Sequence, residues 1–573
     1  MKNLNMLVCV MLLALLISMC GKEDKRLYEP PEGSINLTDL QTRHDYYLPF
    51  GLINNKAQIK EAVLNNEKIN FSEGEYIEFK ENGFYELILS YKDSQIVNDT
   101  FLFTTITEER EFSEWGIRAW VPTRTQAVQL GTENVEIYYP HNYTDLIKVP
   151  FIFYVKESGS VKPLFCEGKY LSDGEIFNLK RGIGSVNLVS SELSGQVNFT
   201  IGGKQLNLTL NKMTGTDLEL HGSISTDTEI PANSLVRITD NIDITQTGSL
   251  TVNEGSVILV NEGVDINLDG PLVFSGTGEN PVFITCSSSS SYWGGFITRT
   301  SGGSVNASYT IFCQSGYHDS ENYQWGHSGR QALFYTENST LSLDHCFMLD
   351  HIGQIFYPQN SILTLDNILV QRAQTGGQIN ESHIILRNSV FTDFPDDSDE
   401  FIDADNDALY LSASDAEISN TTFMFAKDDG LDSGNEEGGT INVDNCRFEA
   451  CFHEGAALSS GDNAIKNHTF TKCVFINCGQ GLELGFSSQN HTVIADNCMF
   501  LNNGIGIRYG DNYDWSRVEG KMIIKNSYSL NNDRDVWNMV RRNWSPVLEN
   551  LILENTIVSK LCPQYPGLTI EGN

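Results

Sequence analysis

An all-β chain dominated by a long parallel β-helix is what three features of the sequence predict. The first is a set of short motifs that recur in columns. Asp407-Ala-Leu-Tyr, Asp429-Gly-Leu-Asp, Glu454-Gly-Ala-Ala and Gln480-Gly-Leu-Glu form one column. Asn420-Thr-Thr-Phe, Asn445-Cys-Arg-Phe, Lys472-Cys-Val-Phe and Asn497-Cys-Met-Phe form another. The second feature is the period: the Asn column repeats at intervals of 25, 27 and 25 residues, which fits stacked coils. The third is composition. The chain holds 48 Gly, 22 Tyr and 30 Phe and few helical patterns, which favours strands.

The length of 573 residues exceeds one ordinary domain of roughly 100–200 residues. Five segments are expected: 1–19 signal, 20–36 tether, 37–110 and 111–222 two β modules, and 223–573 the solenoid. Net charge is −36, from 38 Lys and Arg against 74 Asp and Glu. Phosphate contacts need a basic surface, so nucleic acid is excluded as a partner. Divalent cations and neutral ligands are compatible with such a field.

The N-terminus reads as a targeting segment. Lys2 precedes an apolar stretch from Met6 to Met19, shorter than a membrane-spanning helix of about 20 residues. The run Leu16-Ile17-Ser18-Met19-Cys20, followed by Gly21-Lys22-Glu23-Asp24-Lys25, resembles a Bacteroidota-type lipoprotein signal with a charged tether. That resemblance implies lipidation at Cys20 and a monomer anchored to the outer membrane at the cell surface. Of 12 cysteines, Cys9 and Cys20 belong to this region. Cys446, Cys473 and Cys498 share one register and Cys451 and Cys478 another. Burial as stacked small apolar residues is the favoured reading, with bridges between coils the alternative.

Strand-like alternation marks 37–110, at Tyr76-Ile-Glu-Phe, Phe84 to Tyr91 and Phe101 to Thr105. The stretch Glu81 to Tyr91 is similar to late strands of immunoglobulin-like bacterial domains. In 111–222, Val135 to Tyr139, Val149 to Val155 and Gly195 to Ile201 read as strands; a β-sandwich is the expectation for both modules. Neither carries a catalytic constellation, and a spacer role is expected.

Very short strands with turns begin near Ile230 and continue through Ser249 to Val260, Val264 to Thr277 and Glu279 to Thr285. The Asn column extends to Tyr309, His345, Asn367, Asn388 and Asn526. A leucine-rich pattern is absent, so a right-handed, single-stranded parallel β-helix of roughly a dozen coils is expected. Like residues then stack on like. Phe312, Phe391, Phe423, Phe448, Phe475 and Phe500 should form an aromatic ladder, and the Asn column should cap bends, amide to amide. Two insertions interrupt the period. Gly316 to Gly329 carries Tyr317, His318, Tyr323, Trp325 and His327, residues able to stack on sugars; Phe394 to Asp403 is acidic.

Chemistry is sought where acids stack: Asp405-Asn-Asp407, Asp428-Asp429-Gly430 and His453-Glu-Gly455. This order resembles the polygalacturonase family of the pectate lyase and polygalacturonase superfamily. The resemblance implies that Asp407, Asp428 and Asp429 are acid and base carboxylates, that His453 orients them, and that an extracellular polysaccharide is the partner. Two carboxylates of divided protonation are what glycoside hydrolysis needs. The family's Arg-x-Lys for a substrate carboxylate is missing one coil after His453: Ile465-Lys466 lies too early and Arg508 too late. Tyr323, Trp325, Lys427 and Arg508 are the candidate substrate-binding residues.

Two other readings stay open. Unrelieved like charges at strand spacing are destabilising, and Ca²⁺ held by Asp405, Asp432 and Glu454 beside the column would relieve them. Lyases of this fold use Ca²⁺ with a Lys or Arg base, for which Lys427, Arg447 and Lys466 are nearby. A non-catalytic glycan-binding adhesin or structural protein is the third reading, since fold does not give function. His351 and His453 each stand two residues before a coil Gly; only His453 has acids stacked beside it.

Overall fold

The structure is a computed structural model. It describes strand segments between residues 59 and 213, and from 217 to 571 all but residues 279, 318–329, 395–405, 435–437, 462–463, 511–517, 531, 538–549, 555 and 559–569. The described residues are all-β, with no helix. None therefore forms a helix long and apolar enough to cross a membrane. The signal, Cys20 and the tether lie outside the described residues.

From Asp217 onward the chain winds a parallel β-solenoid of about 11 turns. One 25-stranded and one 14-stranded sheet run its length. The first solenoid strand, Asp217–Ile224, pairs in parallel with Leu235–Ile244. Each coil has three faces. Strands of the 14-stranded sheet, such as Thr440–Asp444, alternate exposed and buried residues, the pattern of a sheet with one solvated side. Ile441 and Val443 point inward there. The larger sheet supplies the other two, a first face with strands such as Val257–Val260 and a second with strands such as Gln480–Leu484, and these two strands are buried throughout.

The Asn column explains the bends. Tyr309, His345, Asn367, Asn388, Asn420, Asn445, Lys472, Asn497 and Asn526 all have φ between 44° and 56°. This is the left-handed region, where Asn is among the few tolerated L-residues. The amides also join coil to coil: Asn420 donates to Asn388 (3.2 Å) and Asn445 to Asn420 (2.7 Å). The aromatic ladder lies inside. Phe423, Phe448, Phe475 and Phe500 stack with centroids 5.2, 4.7 and 5.0 Å apart and rings within 12° of parallel. Phe312 shares the column, but Met348 and Val370 stand between it and Phe391. The eight described cysteines whose side chains are seen are free and buried, so the stacked thiols are packing residues.

The N-terminal segments form a four-stranded antiparallel sheet from Ile59 to Thr104 and a nine-stranded sheet from Arg118 to Met213. Among the described residues each is one continuous sheet, a coarser statement than the immunoglobulin-like sandwiches expected. The second module packs directly on the solenoid. Phe151, Phe153, Val197 and Phe199 share a core with Leu235, Phe283, Phe347, Leu369 and Met424, which face outward from the solenoid. Polar pairs edge this contact. Arg372 binds Asp350 (2.6 Å) and Ser185 (2.6 Å), Asn187 binds Asp350 (2.7 Å), and Lys180 pairs with Asp393. The Arg181 guanidinium donates to Glu449 at 2.7 Å, and Arg447 does so at 2.7 Å from the other side.

Two predictions follow from this packing. Lys472 holds a left-handed φ of 53° without the amide its neighbours use. Lys472→Asn should therefore raise stability by about 1 kcal/mol in thermal or denaturant melts; a lower midpoint would contradict the capping role of the column. Burial alone would raise the Glu449 carboxyl, but Arg181 and Arg447 outweigh it and hold it at about 2, against an ordinary 4.5. A depressed carboxyl contributes stability above its unfolded value and loses it as pH falls through the folded one. The loss, on the order of 3 kcal/mol, is expected between about pH 4.5 and 2. Glu449→Gln should be weaker at neutral pH and show a flatter acid limb, read by tryptophan fluorescence during acid titration.

Candidate functional site

The acids sit where each coil enters a strand of the second buried face. In parallel, in-register coils the rise is about 4.8 Å, so residues in one column become neighbours. Tyr410 pairs with Asp432, Leu431 with Ala456, and Glu454 with Gln480. This register stacks Asp407, Asp429, Glu454 and Gln480. The small residue after each acid has a reason. A Cβ on Gly430 would lie 3.0 Å from the Phe448 ring and 2.6 Å from the Gly455 carbonyl oxygen; one on Gly455 would lie 2.8 Å from Phe475. The aromatic ladder thus requires glycine on the inside of the strand start whose outside carries the acids.

Each carboxylate also caps the next coil. Asp407 Oδ1 accepts the Asp429 amide (3.2 Å), and Asp429 Oδ1 accepts the Glu454 amide (2.8 Å). The Gln480 side-chain amide donates to Glu454 Oε1. His453 stands against three carboxylates at once: its Nδ1 lies 3.2 Å from Asp428, 3.6 Å from Asp429, and in contact with Glu454. Ligand atoms of Asp428, Asp429, His453 and Glu454 lie within 4.8 Å of one another; so do those of Asp407, Asp429 and Asp432. Asp407 and Glu454 are 2 % exposed and Asp428 and Asp429 6 %, while the imidazole is 25 % exposed. The cluster therefore meets solvent through His453 and the half-buried Asp432.

Protons are divided unevenly in this cluster. Burial is the largest cause raising the Asp407 carboxyl well above the carboxylate range, and Asp432, Asp429 and Asp428 add to it. Asp429 is raised likewise, by burial and then by Glu454 and Asp428, with His453 opposing. For His453 burial alone would favour the neutral ring, but the Asp428 hydrogen bond and the charges of Asp429, Asp428 and Glu483 outweigh it. The imidazolium persists to about pH 9. The site is a set of carboxyls sharing protons around one internal cation.

The structure thus brings together Asp407, Asp428, Asp429, Asp432, His453 and Glu454. Asp405, Tyr323 and Trp325 lie outside the described residues, as does most of each insertion. Lys427 is buried beside the cluster, its ammonium 5.0 Å from the Phe452 ring centre. Arg508 is not brought to the Asp407, Asp429 and Asp432 triad. It pairs in register with Glu483, three coils past Asp432 and so about 14 Å away, fully buried with its guanidinium 3.9 Å from the Trp537 ring. His351 bonds across a bend: Nδ1 meets the Ser315 hydroxyl at 2.7 Å and Nε2 the Phe312 carbonyl at 3.1 Å. Sequence reasoning passed over Gln480 as a partner of Glu454, although its place in the Asp-Gly column was the signal. It also missed the outward tyrosines Tyr335, Tyr357 and Tyr410 on the same face.

Comparison with known proteins places this region. A family described as "Right handed beta helix region" matches residues 407–572, so the solenoid that carries the acids is a right-handed parallel β-helix. No curated protein matches the chain. Among solved structures it is similar to a polygalacturonase from Erwinia carotovora ssp. carotovora, at 12 % identity and a TM-score of 0.26, over 59 % of this chain and 90 % of that one. At that overlap no residue role is carried across.

Proposed function

We propose that this chain hydrolyses a neutral extracellular polysaccharide at the Asp407, Asp428, Asp429 and His453 cluster. The observation that carries the reading is the gathering of carboxyls from successive coils around one imidazole. Burial and like charge raise Asp407 and Asp429 well above the carboxylate range, while Asp428 faces the His453 ring. A protonated carboxyl of this kind delivers its proton to the glycosidic oxygen as the C–O bond breaks. Asp428 takes a proton from the water whose oxygen bonds to the anomeric carbon. His453 is a positioning residue that holds the Asp428 carboxylate through its Nδ1 at 3.2 Å. Substrate neutrality follows from the next coil, where Gln480, Leu482 and Glu483 occupy the positions after His453 and Glu454 and supply no cation for a uronate.

One observation favours a second reading. Asp407, Asp429 and Asp432 form an all-oxygen triad, the donor set a hard cation such as Ca²⁺ takes. These three residues would hold it, and bound Ca²⁺ would neutralise their repulsion. The protein would then be a glycan-binding surface protein with a cation-braced coil. The reading also includes place: the Lys2 to Cys20 segment supports a lipid anchor at the outer membrane. Incorporation of labelled palmitate, lost in Cys20→Ser, is the expected result.

Reducing-end release from a panel of neutral and acidic polysaccharides tests the main reading. Asp428→Asn and Asp429→Asn should each lower turnover by about 10²–10⁴-fold with little change in melting temperature. Release from none of the substrates by wild type, together with a Ca²⁺-dependent rise in melting temperature that Asp432→Asn abolishes, would select the cation-braced reading instead.

A further inference from the structure

We infer a second glycan-binding site, separate from the acids, in a groove at the opposite end of the second-face strands. The groove has a volume of about 510 Å³. Two polar columns form its walls. Glu337, Gln359 and Asn380 are in register at the strand ends. Asn338, Asn360 and Glu381 follow them at the bend, with φ of 51°, 46° and 43°. All six line the groove, which continues to Ser412. Asp407 and Ser412 bracket one strand start and end, so the groove lies about 16 Å across the face from the acid cluster.

Its polar groups are held in place before any ligand arrives. Asn360 donates to Asn338 Oδ1 at 2.6 Å, and Gln378 donates to Asn380 Oδ1 at 2.7 Å. Asn380 in turn donates to the Pro358 carbonyl at 3.3 Å. Behind the wall, Tyr335 and Tyr357 stack at 5.9 Å with rings 22° apart. The Tyr335 hydroxyl donates to Glu337 at 3.4 Å. Both tyrosines are buried, so they brace the wall and do not contact the ligand. Amides and carboxylates fixed by such neighbours are preorganised for recognition.

The repeat and the charge identify the ligand class. Each coil adds one side-chain pair every ~4.8 Å along the axis, close to the length of one extended pyranose unit. Four coils line the groove, enough for roughly three such units. Amide donors and acceptors beside carboxylate acceptors match vicinal sugar hydroxyls, which both donate and accept. Among the described residues, no Lys, Arg or His lines the groove, which disfavours uronates, sulfated glycans and phosphates. The ligand is therefore a neutral polysaccharide lying parallel to the solenoid axis. This assignment takes its ligand class from the same polysaccharide reading, yet it does not need the acids to be catalytic.

The test uses the full-length protein with soluble β-glucan, xylan, mannan and polygalacturonate as probes. Binding is read by affinity electrophoresis and calorimetry, and turnover on short oligosaccharides too small to reach the groove. Wild type should bind one neutral polymer. Gln359→Ala/Asn360→Gly should weaken that binding at least tenfold and leave oligosaccharide turnover unchanged; glycine keeps the left-handed φ at 360. Gln359→Ala alone, whose side chain reaches only the Tyr357 hydroxyl at 3.5 Å, is the variant safest for folding. Asp428→Asn should bind the polymer as wild type does. Equal binding by wild type and groove variants, no neutral polymer bound, or preference for polygalacturonate would each overturn the groove. Groove-dependent binding without any turnover would overturn the hydrolytic reading and leave the groove standing.

Discussion

Coil-on-coil register is the constraint from which everything else in this protein descends. A parallel solenoid places each residue about one strand spacing from its counterparts above and below. A side chain is therefore chosen mainly by what it must sit on. Phenylalanine on phenylalanine gives near-parallel stacks at 4.7–5.2 Å, which add specific aromatic attraction to burial. Asparagine on asparagine satisfies both the left-handed bend and the amide beside it. Carboxylate on carboxylate is the stack that this rule makes unfavourable. Its presence on the coils of Asp407, Asp429 and Glu454 needs a compensating reason, and the hydrogen bonds those acids accept from the next coil supply only part of it.

The three faces divide the work by what covers them. The first is roofed by the N-terminal module, whose aromatic core is continuous with outward residues such as Phe347 and Leu369. The third is the solvated side, with alternating exposed residues. Only the second combines buried outward side chains with a reachable charged group, the His453 imidazole. Docking the module therefore does more than add core. It occupies the other face of the larger sheet and not the one that holds the acids and the polar groove.

Periodicity made the column architecture legible in the sequence, because one side chain per coil repeats at nearly constant spacing. Asp407, Asp429 and Glu454 could be aligned by their following small residue, and the geometric reason is the clearance that Phe448 and Phe475 demand. Contacts that break the period could not be read this way. Arg181 and Glu449 are separated by 268 residues, and nothing local in either marks the other. Arg508 looked available as a substrate contact from its charge alone. Register instead sets it between Glu483 and Trp537, three coils past Asp432. The groove amides escaped notice for a different reason: Asn338 and Asn360 look like ordinary turn formers, and their second role depends on four coils being superposed.

Three kinds of histidine show how far environment, rather than residue type, sets the chemistry. His351 is buried between Ser315 and the Phe312 carbonyl, and burial pushes it down to about 4. His468 and His491 pack edge to face inside the coils with centroids 4.8 Å apart, and burial with Lys466 nearby drives both down, His491 to about 3. These rings stay neutral and serve packing. His453 is displaced in the opposite direction, by carboxylates that the register delivers from the coil before and the coil after. A solenoid that stacked acids only for solubility would have no use for a cation inserted among them at a point open to solvent. The imidazolium is the feature that draws the stacked carboxyls around one cation, and perturbed groups gathered in this way mark a candidate functional site.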